Sequence, residues 1–248
     1  MTSASGLAVS PSIETIEPLP RTLGVLMLET RFPRPRGDIG HPATFAFPVR
    51  HAVVRGASAR RVVHDADPRL LQPFIEAGRR LVDDGAEAIS TSCGFLVLFQ
   101  AALADALPVP VWTSSLLLLP SIQAALPNGR VVGVVTVDAA ALGAQHLRAA
   151  GASPDTPVEG LAPGCAFQRA LLDDEPAFDL DAARAATVAA AQALQRRRPD
   201  LGAIVLECTN MPPYAEAVRR ATGLPVHDVT TLLASRIDAR PAPRLAMR

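Results

Sequence analysis

Ala88-Ile89-Ser90-Thr91-Ser92-Cys93 and Ala203-Ile204-Val205-Leu206-Glu207-Cys208 share one pattern: Ala-Ile, three residues, then a cysteine. Sixteen residues after each cysteine comes Pro-Val, at Pro110-Val111 and again at Pro225-Val226. Each copy reads as a short apolar strand, a cysteine just past its end, an amphipathic helix and a second short strand. Moving outward, Leu23 to Leu28 is a continuous apolar run that closes on Glu29, and Val132 to Val137 is another that closes on Asp138. Both contain Gly-Val-x-x-x-acid, some seventy residues before their cysteines, so the duplication extends over most of each half. Unbroken apolar strands alternating with helices are the pattern of parallel sheets covered on both faces.

The expected fold is therefore α/β, with two pseudo-symmetric Rossmann-like parallel-sheet lobes and a site between them. Residues 1–21 read as a loose tail. Residues 22–127 form a lobe carrying Cys93, completed by a final helix over 229–238, and residues 128–228 form a lobe carrying Cys208. Pro127-Asn128-Gly129 marks the boundary. The spacing predicts helices over 68–83, opened by Asp67, and over 139–150, stopped by Gly151. The segment from Arg31 to Pro42 is too rich in Pro and Gly for a helix and too long for a plain connector, so it is expected as a loop over the cleft.

Composition excludes several function classes. Basic and acidic residues balance at 24 each, with no long basic run, so neither nucleic acid nor an anionic membrane is an expected partner. Every one of the 24 basic residues is arginine. Without lysine the chain can form no Schiff base and no Walker phosphate loop. Three cysteines are too few for a disulfide framework, and no Cys/His spacing suits a metal, so the expectation is a cytoplasmic protein with no metal. The apolar run around Leu116 to Leu119 falls far short of the roughly 20 residues of a membrane span. A small-molecule carboxylate is the expected partner, and a homo-oligomer is compatible with the sequence.

Two matched cysteines at the carboxyl ends of parallel strands lie where such sheets present ligands. A helix N-terminus behind each is expected to lower its thiol pKa toward neutrality and to help hold a substrate carboxylate. A thiol on either side of one carbon could remove a proton from one face and add one to the other. Cys165 lacks a repeat partner and is expected to be packing.

Ser92-Cys93-Gly94-Phe95 and Glu207-Cys208-Thr209-Asn210 resemble the motifs of the aspartate/glutamate racemase superfamily, which includes hydantoin racemases, maleate isomerases and arylmalonate decarboxylases. The resemblance runs from about Leu23 to about Ile237. It implies that Cys93 and Cys208 are the acid/base pair of a cofactor-independent racemase or epimerase, an isomerase needing no pyridoxal phosphate. The second motif is similar to the family's Cys-Thr-x, whereas Gly94 and Phe95 replace an Asn-Thr that contacts substrate in amino-acid racemases. In the decarboxylase branch the first cysteine is glycine, so Cys93 argues against decarboxylation. Asn210 stands where some members carry a histidine that assists the thiol, and that assistance is expected to be missing. Substrate contacts are expected from Glu29, Gly94, Phe95, Thr113, Ser114, Thr136, Asp138, Thr209 and Asn210, whereas for Arg31, Arg34 and Arg36 two readings stay open, a loop arginine binding a second carboxylate and a solvated basic loop. Two other readings stay open: cis–trans isomerisation of an unsaturated diacid with one cysteine as nucleophile, and a two-lobed binding protein without catalysis.

Overall fold

The computed structural model describes residues 22–238, so the tail expected over residues 1–21 lies outside the described residues. Two four-stranded parallel sheets form the frame. In the first, β1 (Leu23–Leu28), β2 (Val49–Val54), β3 (Ala88–Thr91) and β4 (Val111–Trp112) lie in the order β2-β1-β3-β4. In the second, β5 (Val131–Thr136), β6 (Val158–Gly160), β7 (Leu201–Leu206) and β8 (Val226–His227) repeat it as β6-β5-β7-β8. The glycine of Gly-Val-x-x-x-acid has one cause in both copies. A Cβ at Gly24 would crowd Ile89 and Leu81, and one at Gly133 would crowd Leu201 and Leu194, so the central strand accepts only hydrogen where its neighbours close over it.

The helices are α1 (Ala59–Val63), α2 (Leu71–Asp83), α3 (Gln100–Ala106), α4 (Leu119–Ala125), α5 (Ala144–Ala149), α6 (Ala166–Leu172), α7 (Leu180–Arg197), α8 (Ala215–Thr222) and α9 (Val229–Asp238). Asp67 opens the turn before α2 by accepting from the Arg69 amide, as its position predicts. The helix expected over 139–150 is shortened to α5. Asp138 uses its carboxylate on the amides of Ala140 and Ala141, which holds a turn where the first helical turn was expected. The loop-rich stretch after Gly151 contains an edge strand, β6, whose three residues are too few to show a pattern.

One continuous core runs through both lobes, and a smaller one lies on the outer face of the first sheet. There Val229, Leu233 and Ile237 of α9 pack on Leu23, Val25 and Met27 of β1, so the last helix returns to cover the first strand. Hydrogen bonds stitch the lobes together behind the cysteines. The Ser115 hydroxyl donates to the Leu206 carbonyl at 2.8 Å, and the Thr209 hydroxyl to the Ser92 carbonyl at 2.6 Å. No described helix is long and apolar enough to cross a membrane.

Candidate active site

Parallel strands β3 and β7 occupy equivalent places in their sheets, so their ends deliver Ser92-Cys93 and Glu207-Cys208 to one cleft from opposite sides. The cleft encloses about 360 Å³ including its open mouth. Leu28, Phe32, Val63, Phe95, Val137, Leu171 and Leu172 make its apolar walls, and Ser92, Cys93, Glu207, Cys208, Thr209 and Asn210 make its polar floor. Few polar groups on an apolar surface suit a small substrate held by a handful of directional bonds.

The two thiols differ. Cys208 is buried, while Cys93 keeps part of its surface open to the cleft. Cys208 donates its S–H to Asn210 Oδ1 at 3.5 Å. Asn210 Nδ2 in turn donates to Asp38 Oδ2 at 2.5 Å, and a carboxylate that only accepts settles which end of the amide faces it. Asp38, itself fully buried, is anchored by Arg34 at 3.0 Å and by the Gly40 amide at 2.7 Å. In the place of a thiol-assisting histidine, Asn210 accepts the Cys208 S–H, which favours the thiol over the thiolate. The expectation of helix-driven activation is corrected. Burial pushes the Cys93 thiol up to about 12, the Glu207 carboxylate adding to the effect, and only the amides of Phe95 and Leu96 pull it down among the backbone groups. Burial first and Glu207 second also raise Cys208 well above its ordinary value. Cys93 opens a tight 3-10 turn, Gly94–Phe99, whose dipole is outweighed by lost water and a neighbouring acid.

That acid is Glu207, which is fully buried. The Thr136 hydroxyl donates to its Oε2 at 2.7 Å, while Oε1 has no partner among the described residues. Burial pushes its carboxyl up to about 7, against the pull of Thr136. Gly94 owes its identity to this side chain: a Cβ there would overlap Oε1 and the carbonyl oxygen of Glu207.

Of the residues expected at the site, Cys93, Gly94, Phe95, Cys208, Thr209 and Asn210 line the cleft. The others stand elsewhere. Glu29 is exposed and accepts from the Gly56 amide at 2.8 Å, because the chain turns outward after β1. Asp138 caps its own turn and meets His64 at 3.2 Å. Thr113 is bonded to Gln100, and Ser114 caps the Leu116 amide. Thr136 sits one layer behind, on Glu207. The Thr209 hydroxyl spends its proton on Ser92, which removes it as a donor to substrate. Arg31 pairs with Asp174, Arg34 with Asp38, and Arg36 is exposed, so these arginines support the loop and do not line the cleft. Cys165 caps α6, its sulfur accepting from the Gln168 amide at 3.4 Å.

Sequence reasoning missed Glu207 and Asp38 as site residues. An acid that directly follows the apolar run Ile204-Val205-Leu206 was the visible sign of the first. Asp38 had none, since it lies in a Pro/Gly loop among three arginines.

Known proteins place this arrangement. The family model described as Asp/Glu/hydantoin racemase matches residues 116–237. A dimethylsulfoniopropionate lyase from Durusdinium sp. clade D is 31% identical over 243 residues, covering 91% of this chain and 80% of that protein. Dimethylsulfoniopropionate lyase 3 from Emiliania huxleyi (strain CCMP1516) is also 31% identical, over 88% of this chain and 60% of its own length, so this chain spans about three fifths of that relative. Among solved structures, unliganded arylmalonate decarboxylase superposes with a TM-score of 0.58 at 19% identity, over 90% of this chain and 94% of that one. Picrophilus torridus aspartate racemase does so with a TM-score of 0.52 at 13% identity, over 88% and 92%. With its paired parallel sheets, its strand-end cysteines and these relatives, the chain belongs to the Asp/Glu/hydantoin racemase superfamily.

Proposed function

We propose that the protein is a cofactor-independent enzyme that takes the α-proton from a small carboxylate with a cysteine base, and that the resulting carbanion expels a β-leaving group. The inequivalence of the two thiols carries this reading. Racemisation in both directions asks each thiol to serve in turn as base, which suits two thiols in like surroundings. Here Cys208 is buried, with its proton held toward Asn210 by a brace anchored at Asp38 and one backbone amide, that of Asn210, favouring its thiolate, while Cys93 keeps part of its surface open to the cleft and has two, those of Phe95 and Leu96. One thiol is arranged to lose a proton and the other to keep it.

The lyase names of the relatives at 31% identity supply a substrate with the required leaving group, dimethylsulfoniopropionate. Cys93 thiolate would take the α-hydrogen, the C–H electron pair would form the Cα=Cβ bond, and the Cβ–S bond would break toward sulfur. The products are acrylate and neutral dimethyl sulfide, and the proton on Cys93 returns to water. A sulfonium cation in the cleft also offsets what raises the Cys93 thiol, since a positive neighbour favours thiolate.

Incubation with dimethylsulfoniopropionate, with proton NMR as the readout, tests the reading. Acrylate and dimethyl sulfide are expected to appear, and Cys93→Ser is expected to lower the rate at least about a hundredfold. Racemisation is the second reading, favoured by the presence of a thiol on each side of the cleft. Absence of elimination, together with α-deuterium incorporation into both enantiomers of a substrate lacking a leaving group, would establish it instead.

A further inference from the structure

We infer that Glu207 works as a neutral carboxylic acid whose Oε1 hydroxyl donates a hydrogen bond to the substrate carboxylate. The inference deepens the proposed function and rests on its placing a carboxylate in this cleft. A carboxylate there needs donors, yet among the described residues no arginine or histidine lines the walls or floor. The Thr209 hydroxyl gives its proton to the Ser92 carbonyl and Asn210 one of its N–H groups to Asp38, so the side-chain donors left at the floor are the second Asn210 N–H and the Ser92 hydroxyl, whose oxygen accepts from the Leu28 amide. Glu207 is differently disposed. Thr136 donates to Oε2, which leaves Oε1 to carry a proton, and Oε1 is buried, unpartnered among the described residues and next to Gly94 at the cleft floor. The glycine reserves the space for it.

Burial holds the Glu207 carboxyl up at about 7, and a substrate carboxylate arriving beside it raises it further, because two like charges cannot share a dry site. The titratable groups that face it are the Cys93 and Cys208 thiols, both neutral at pH 7; Asp38 and Arg34 stand one layer away beyond Asn210 and pair with each other. As the α-proton leaves, charge moves onto the substrate carboxylate oxygens, so a donor already in place binds the transition state more tightly than the ground state. No proton need leave Glu207 for this to act.

The glutamine variant separates this role from its rival. In Glu207→Gln the amide oxygen can accept from Thr136 and the NH2 can point where the acid proton stood, whereas a general base would be lost. Propionate serves as the probe, and its binding would be measured by calorimetry in the Cys93→Ser background from pH 6 to 9, with no turnover involved. Propionate affinity is expected to fall about tenfold per pH unit once Glu207 titrates. Adding Glu207→Gln should keep the low-pH affinity within about threefold and remove the pH dependence, and Glu207→Ala should weaken binding about tenfold or more. Pure loss of binding in a folded glutamine variant, or a flat profile with Glu207 present, would overturn the inference. Failure of the elimination assay with these binding results intact would instead sink the proposed reaction and leave the role of Glu207 standing.

Discussion

Replacing Gly94 with alanine tests the contact that joins the two cysteine motifs. The added Cβ would overlap Glu207 Oε1, its Cδ and its carbonyl oxygen, and the first two of these belong to the side chain. Glu207 cannot simply swing away, since Thr136 holds Oε2 at 2.7 Å and the residue is fully buried. Overpacking of a closed site costs about 1–3 kcal/mol. For a chain of this size each kcal/mol lowers the melting temperature by about 2–4 °C, so Gly94→Ala is expected to melt lower by some 2–12 °C. Because most of the overlap is with the side chain, Glu207→Ala should relieve part of it. Thermal denaturation of Gly94→Ala, Glu207→Ala and the double variant should give a favourable coupling of about 1 kcal/mol or more, while the backbone carbonyl keeps the relief incomplete. Additive effects, or a Gly94→Ala variant as stable as the parent, would refute the idea that Glu207 dictates glycine at this position.

Several other expectations can be checked independently. Both thiols being held up by burial, alkylation of Cys93 and Cys208 by iodoacetamide should be slow at pH 7 and accelerate only at strongly alkaline pH, and rapid labelling of either at neutral pH would contradict it. The raised Glu207 carboxyl has a signed consequence for stability: between pH 4.5 and about 7 the folded state binds the proton that the unfolded chain releases, so its contribution declines as pH rises through that window and is constant above it. The stability difference between the parent and Glu207→Gln should change across the window by on the order of 3 kcal/mol in urea titrations, and a constant difference would show that the carboxyl is not buried as described. Asn210→Ala strips a partner from both Cys208 and buried Asp38 and should cost about 1–3 kcal/mol of stability in the same titrations. Leu233→Ala, on the buried face of α9 against β1, should cost about 2–5 kcal/mol while leaving the pH dependence of propionate binding untouched.

The sequence by itself determined the two-sheet architecture and the place of the cysteines. Apolar strands that repeat with a fixed interval to a cysteine specify a parallel order, and a residue just past such a strand must emerge at the sheet's ligand-bearing edge. Local pattern is enough for that, because a buried strand needs apolar residues whatever surrounds it. The side chains grouped around the thiols were another matter. Glu29 and Asp138 hold matched positions in the repeat, yet one binds the Gly56 amide at the surface and the other caps its own turn beside His64. A bond to the amide of Gly56, 27 positions on, holds the first and a local cap the second, and strand spacing is blind to both. Only the tertiary structure decided that Gly94 is glycine on account of Glu207, that Asn210 joins its neighbour Cys208 to Asp38, 172 positions before Asn210 in the chain, and that the thiols are raised and not lowered. Ionisation depends on how much water is excluded and which charges are brought near, and both are properties of the assembled cleft. The duplication makes the thiols equivalent in sequence, and folding sets unequal partners beside them: Cys208 is buried and bonded to Asn210, while Cys93 keeps part of its surface open to the cleft.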